Sequence, residues 1–116
     1  AKEIVVWDIN EQNIASTIDE LSAYGRVKGY KVDVSSSECV EESYAQVKRE
    51  CGDVDIVINC AGVVTSNKTF DKQSVQDIER TMNINAKAPM LVALQMLGGM
   101  IERNHGIYAT LLQPQV

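Results

Sequence analysis

Basic residues are few in this chain, and they are scattered. Eleven Lys and Arg against sixteen Asp and Glu leave a net charge of −5 and a pI near 4.8. An electrostatic footprint for nucleic acid needs clustered Lys and Arg, so no nucleic-acid partner is expected. Cysteine is scarce too: Cys39, Cys51 and Cys60 are odd in number and form no Cys-x-x-Cys. That usage points to reduced thiols in an intracellular compartment, not to a disulfide framework or a zinc site. The single histidine, His105, sits between Asn104 and Gly106 and reads as a solvated turn residue; no metal site is expected. No apolar run approaches the length of a membrane span, and the amino terminus carries no signal-peptide pattern.

What is present is ordinary for a globular protein: 45% hydrophobic and 23% charged residues. A chain of 116 residues is one domain or a piece of one. Ile4-Val5-Val6-Trp7 reads as a short buried strand ending at Asp8. Asn10 suits the cap of a helix with Ile14, Ile18 and Leu21 on one face, and Gly25 suits its end. A second strand is expected from Val27 to Val34, ending in Asp33-Val34. Ser35 and Glu38 have capping-box spacing and open a helix with the stripe Val40, Tyr44, Val47 and Cys51, stopped by Gly52. Val54 to Ile58 forms a third strand, apolar except for Asp55. After a polar connection, a long helix is predicted from about Ser74 to Arg103, with the stripe Val75, Ile78, Met82, Met90, Leu94, Leu97 and Ile101. Ile107 to Leu112 is the last strand. Alternating apolar strands and helices define an α/β fold: a doubly wound parallel sheet covered on both faces.

The strand Val54–Ile58 delivers Asn59-Cys60-Ala61-Gly62 at its carboxyl end, a run of small residues where a backbone passes close to a ligand. With Val5-Val6-Trp7-Asp8 upstream and Met82-Asn83-Ile84-Asn85 downstream, the chain resembles the short-chain dehydrogenase/reductase family. The resemblance runs over roughly residues 2 to 110. It implies a Rossmann-like dinucleotide-binding fold, here a partial domain over residues 1–116, and NAD as cofactor. An acid at the end of the strand, Asp8, accepts from the adenosine ribose hydroxyls and repels a 2′-phosphate, which favours NAD over NADP. The alternative reading of Asp8 is a residue that merely starts the turn into Asn10.

Asp33 and Val34 match the family's adenine pocket, the carboxylate accepting from the exocyclic amine and the valine packing on the ring. Asp33 could equally serve the start of the following helix, and one carboxylate has acceptor sites for both. Ala61 and Gly62 leave room for ribose and pyrophosphate, and in the family the Asn59 side chain pins the neighbouring strand. Cys60 departs from the usual Asn-Asn-Ala-Gly at a packing position, with no adjacent cation or base to make it reactive. Asn85 matches the family's active-site Asn. Pro89, four residues on, has no N–H for the carbonyl of residue 85, so the helix bends there and the carbonyl can hold a water of the family's proton relay. The alternative is a kinked packing helix.

The departures from the family are large. Its Gly-rich loop would lie on a strand before residue 1, and this sequence holds no Tyr-x-x-x-Lys pair. The sheet is therefore expected to lack its first strand and the C-terminal part, and the 116-residue chain to be catalytically inactive by itself. Within the family, Val5-Val6-Trp7-Asp8-Ile9-Asn10, Gly62-Val63-Val64 and Asn104-His105-Gly106 are closest to the 17-beta-hydroxysteroid dehydrogenase type 11/13 and epidermal retinol dehydrogenase branch. That resemblance implies a lipophilic secondary or allylic alcohol, or its ketone, as substrate. It also implies a homodimer in a full-length parent, and endoplasmic reticulum or lipid droplets as location. Membrane attachment would come only through segments outside this sequence; the fragment itself would be cytosolic. A second reading is a truncated, inactive product that acts as a folding or dimerisation module through the long helix.

Overall fold

The β-branched run near the amino terminus forms β1 (Glu3–Asp8) in the computed structural model, which describes residues 2–60 and 69–111. β1 lies parallel to β2 (Arg26–Lys31), with Glu3 opposite Arg26 and Asp8 opposite Lys31. Between them runs α1 (Glu11–Leu21), capped by the Asn10 side chain, which accepts from Gln12 N at 2.8 Å and Asn13 N at 3.0 Å. Ile14 is its buried anchor. The helix comes so close to β2 that a Cβ on Gly29 would lie 2.2 Å from Ile14 Cγ2. Here glycine is needed for space, not for conformational freedom.

The second strand stops earlier than its apolar run suggests. The ladder ends at Lys31, Val32 N still donates to Asp8 O at 3.0 Å, and the chain turns at Asp33. The next helix, α2 (Ser37–Cys51), is capped by Ser36 and not by Ser35. Ser36 Oγ accepts from Cys39 N at 3.3 Å, while Ser35 is drawn back to the Asp33 carboxylate. Two adjacent serines with equal capping ability leave the choice to the turn before them. Val40 and Val47 are fully buried on this helix, Tyr44 and Cys51 half-buried, and Gly52 ends it at φ 86°.

The chain divides into two units, Ala1–Asp53 and Val54–Val116. The second contains β3 (Ile56–Asn59) parallel to β4 (Ile107–Thr110), with Ile56 opposite Ile107 and Asn59 opposite Thr110. Among the described residues each unit thus has a two-stranded parallel sheet. Only one face of β3–β4 is covered: Val57 is 8% exposed, but Ile56 and Ile58 on the other face are 58% and 57% exposed. Among the described residues of this unit, no helix packs on the side of Ile56 and Ile58.

The crossover in this unit is a helical rod. Ser74 opens it with a capping box: Ser74 Oγ accepts from Asp77 N and Asp77 Oδ2 from Ser74 N, both at 3.0 Å. α3 (Val75–Met82) passes into a π-turn (Asn83–Lys87) and then α4 (Ala88–Arg103). The left-handed Asn104, at φ 52°, ends it.

The face that spacing assigns to the core is the wrong one. Val75, Ile78, Met82, Met90, Leu94 and Ile101 are exposed, whereas Ala88, Val92, Met96 and Met100 are buried. Two causes account for this. α4 is apolar on most sides, so periodicity alone does not choose a face. The π-turn also inserts a residue, about 100° of rotation, so no single stripe continues from α3 into α4. The rod Val75–Arg103 is, by length and composition, long and apolar enough to cross a membrane, with mean hydropathy 1.2 over its best window. The sequence expectation that no run approaches that length is thereby corrected. α4 packs against β4, and 22% of that window is buried.

Candidate functional site

The first unit gathers three of the proposed site residues at the carboxyl ends of adjacent parallel strands. Asp8 closes β1, half-buried, and its Oδ1 accepts from Asn10 N at 2.9 Å. The same turn therefore starts α1 and orients the carboxylate, as the turn-starting reading of Asp8 expects. Asp33 follows β2 after Val32. Its Oδ1 accepts from Ser35 N at 3.0 Å and Ser35 Oγ at 2.6 Å, and its own N–H donates to Cys39 Sγ at 3.3 Å. The helix-start role for Asp33 is real, and it occupies one carboxylate oxygen. Val34, beside it, is half-buried.

Cys39 was not anticipated in this neighbourhood. Its sulfur fixes the Asp33 backbone from the first turn of α2. The one sequence signal for it is its position three residues after the cap Ser36, where a short side chain faces the preceding turn. Asn10 caps α1 as its spacing predicts, and its N–H also holds Asp8, the start of the turn.

The second unit carries Asn59 and Asn85. Asn59 ends β3, and its Nδ2 donates across to Ala109 O and Thr110 Oγ1, both at 3.4 Å, while its carbonyl accepts from Leu111 N at 2.8 Å. The side chain pins the neighbouring strand, as the resemblance implies. Ala61 and Gly62 lie outside the described residues.

Asn85 sits in the middle of the π-turn, exposed, between Met82 and Ala88. Ala88 N donates to Asn83 O, closing the wider turn. The distortion expected from Pro89 is present, and it takes the form of a π-turn with the proline at the second position of α4. Just beyond it, the Tyr108 hydroxyl on β4 donates to the Pro89 carbonyl. π-turns inside helices are rare and often mark functional positions.

Elsewhere in the first unit, Tyr30 donates to Glu50 Oε2 at 2.9 Å, with Cys51 Sγ 3.8 Å away. Burial first, then these two neighbours, push its phenol well above the ordinary tyrosine value. Lys48 and Asp53 form an exposed ion pair at 2.7 Å, and His105 lies 3.7 Å from Asp55 at the opposite end of β3 from Asn59. The three cysteines carry free thiols. Among the described residues no group of three His, Cys, Asp or Glu side chains is placed to hold a metal.

Residues 1–108 match the family model for short chain dehydrogenase, and this chain belongs to that family. It is 36% identical over 109 residues to estradiol 17-beta-dehydrogenase 11 of Homo sapiens, covering 93% of this chain and 36% of that protein. Epidermal retinol dehydrogenase 2 of Homo sapiens is 37% identical over 105 residues, covering 89% of this chain and 34% of that one. Among solved structures, 2-keto-3-deoxy-D-gluconate dehydrogenase from Streptococcus agalactiae matches with a TM-score of 0.81 and 25% identity, over 96% of this chain and 42% of that chain. The fold is accordingly Rossmann-like α/β. The chain spans about a third of the length of the curated relatives it matches.

Proposed function

We propose that this chain is part of an NAD-dependent dehydrogenase that acts on a steroid- or retinoid-like secondary or allylic alcohol, or its ketone. The observation that carries this reading is Asp8: a half-buried carboxylate at a parallel-strand end, with one oxygen fixed by the Asn10 N–H. A fixed carboxylate there suits the two ribose hydroxyls as donors and disfavours a 2′-phosphate. Asp33 lies at the adjacent strand end with acceptor capacity beyond the Ser35 bonds, and it would receive the adenine amine. Val34 would pack on the ring. Asn59, Ala61 and Gly62 would leave room for ribose and pyrophosphate, and Asn85 would order a water for proton transfer. Bound nicotinamide supplies the hydride acceptor; the residues of this chain hold, orient and exclude.

The substrate class and a location at endoplasmic reticulum or lipid droplets rest on similarity to relatives named for estradiol and retinol. Reduction of NAD and of NADP by the full-length parent, against a panel of steroid and retinoid alcohols, tests the reading. The account predicts turnover with NAD and an allylic or secondary alcohol. Turnover with NADP alone would refute the cofactor assignment.

A second reading has its own observation. Met82, Met90, Leu94 and Ile101 expose apolar side chains along the rod, from 57% to 77% of their surface. Such a surface suits association with another copy, a homodimer in the parent and a folding or dimerisation module in a truncated product. Light scattering of the parent, and of its Leu94→Glu variant, tests the association: a dimer that the variant breaks supports it, and a monomer in both cases would remove it.

A further inference from the structure

We infer that Tyr108 is a positioning residue for Asn85, acting through the hydrogen bond from its hydroxyl to the Pro89 carbonyl. The functional half of this inference rests on the role proposed above for Asn85; the structural half does not.

A π-turn is a costly conformation that persists where its surroundings fix it. Here it spans Asn83–Lys87, with Asn85 at its centre. On its amino side, α3 is anchored by the reciprocal Ser74–Asp77 cap. On its carboxyl side the first turn of α4 contains Pro89, which cannot donate a backbone hydrogen bond to the turn before it. A restraint from outside the helix is available as well, and the sheet supplies it. Tyr108 pairs with Val57 in the β4–β3 ladder, and Val57 is 8% exposed, on the covered face of that sheet. From this position the phenol reaches Pro89 O, two residues past the end of the π-turn.

The strand and the helix are thus bolted together where the helix path is least determined by its own hydrogen bonds. A valine or isoleucine at 108 would suit the ladder equally well and could not make this bond. The strand that carries the bolt is also the one Asn59 pins through Ala109 O and Thr110 Oγ1. The carboxyl end of β3, β4 and the first turn of α4, which follows the π-turn, therefore form one connected set within this unit.

The variant is Tyr108→Phe, which keeps the ring and removes the hydroxyl. Amide hydrogen exchange on the full-length parent reads the structural half. Residues 84–90 are expected to exchange roughly two- to tenfold faster, the range for losing one ordinary hydrogen bond, with the β3–β4 ladder unchanged. Unchanged exchange at 84–90 would overturn the inference.

A double-mutant cycle on kcat reads the functional half. Tyr108→Phe is expected to lower kcat by a similar factor with the KM for NAD unchanged, and to cost nothing further in an Asn85→Ala background. An equal loss in both backgrounds would overturn positioning through Asn85. Full activity in Asn85→Ala, with exchange still faster in Tyr108→Phe, would sink the role of Asn85 while leaving the bolt standing.

Discussion

Gly29→Ala is the sharpest local perturbation the structure offers. The added Cβ would lie 2.2 Å from Ile14 Cγ2 and 3.1 Å from Ile18 Cδ1. Carbon atoms in contact prefer about 3.5–4.0 Å, so the first distance must open by more than an ångström. Ile14 cannot yield easily. It is β-branched, with essentially one χ1 choice in a helix, and it is only 8% exposed. The helix backbone has to lift off the sheet instead. Overpacking of this kind costs about 1–3 kcal/mol. Replacing glycine also stiffens the unfolded chain, which returns about 0.4–1 kcal/mol at a compatible position. Steric cost wins, and the net loss is expected to be about 1–2 kcal/mol. Urea unfolding of the full-length parent, followed by circular dichroism, would show a midpoint lowered by roughly 0.5–1 M for a slope near 2 kcal/mol/M. In an Ile14→Ala background the same substitution should cost much less, because the space exists. An unchanged midpoint, or an equal loss in both backgrounds, would refute the packing argument.

Three other outcomes follow from the account. The 116-residue chain alone is expected to show no NAD reduction with any alcohol, because it contains no Tyr-x-x-x-Lys to supply general acid–base chemistry; turnover by a mass-verified sample would contradict this. Among the described residues β1 pairs only with β2, and β3 only with β4, so each sheet has open edges that recruit other strands. The isolated chain should therefore associate or melt without cooperativity, and a monomer with one sharp transition by size exclusion and denaturant melt would refute that. Tyr30, whose folded-state pKa is raised, binds its proton more tightly folded than unfolded, so its contribution to stability is intact below about pH 10 and is lost as pH rises beyond. Tyr30→Phe should flatten that alkaline decline in thermal midpoint, and an identical decline in the variant would show that the phenol does not titrate with unfolding.

Much of the fold was legible because local signals and packing agree. Asn10 immediately precedes the helical run, and it caps α1. Asn59 stands alone after an apolar run, and it bonds the next strand as the family pattern implies. Where two residues offered the same chemistry, the choice lay in the tertiary turn: Ser36 displaced Ser35 once Asp33 had captured the latter. The face of the long helix was illegible for a different reason. Its apolar residues surround most of α4, and the π-turn breaks the period on which a stripe depends. The two uses of Asp33, adenine acceptor and helix-start acceptor, were both readable, and the Ser35 bonds establish the second.

The central claim is that Asp8 reads the adenosine ribose. Asp8→Ala in the full-length parent, titrated with NAD and with NADP, tests it most directly. A hydrogen bond between a carboxylate and a hydroxyl contributes on the order of 1.5–3 kcal/mol, so NAD affinity should fall roughly ten- to hundredfold. NADP affinity should fall less or improve, because the charge that repels a 2′-phosphate is gone. An equal loss for both cofactors would show that Asp8 only holds the turn into α1.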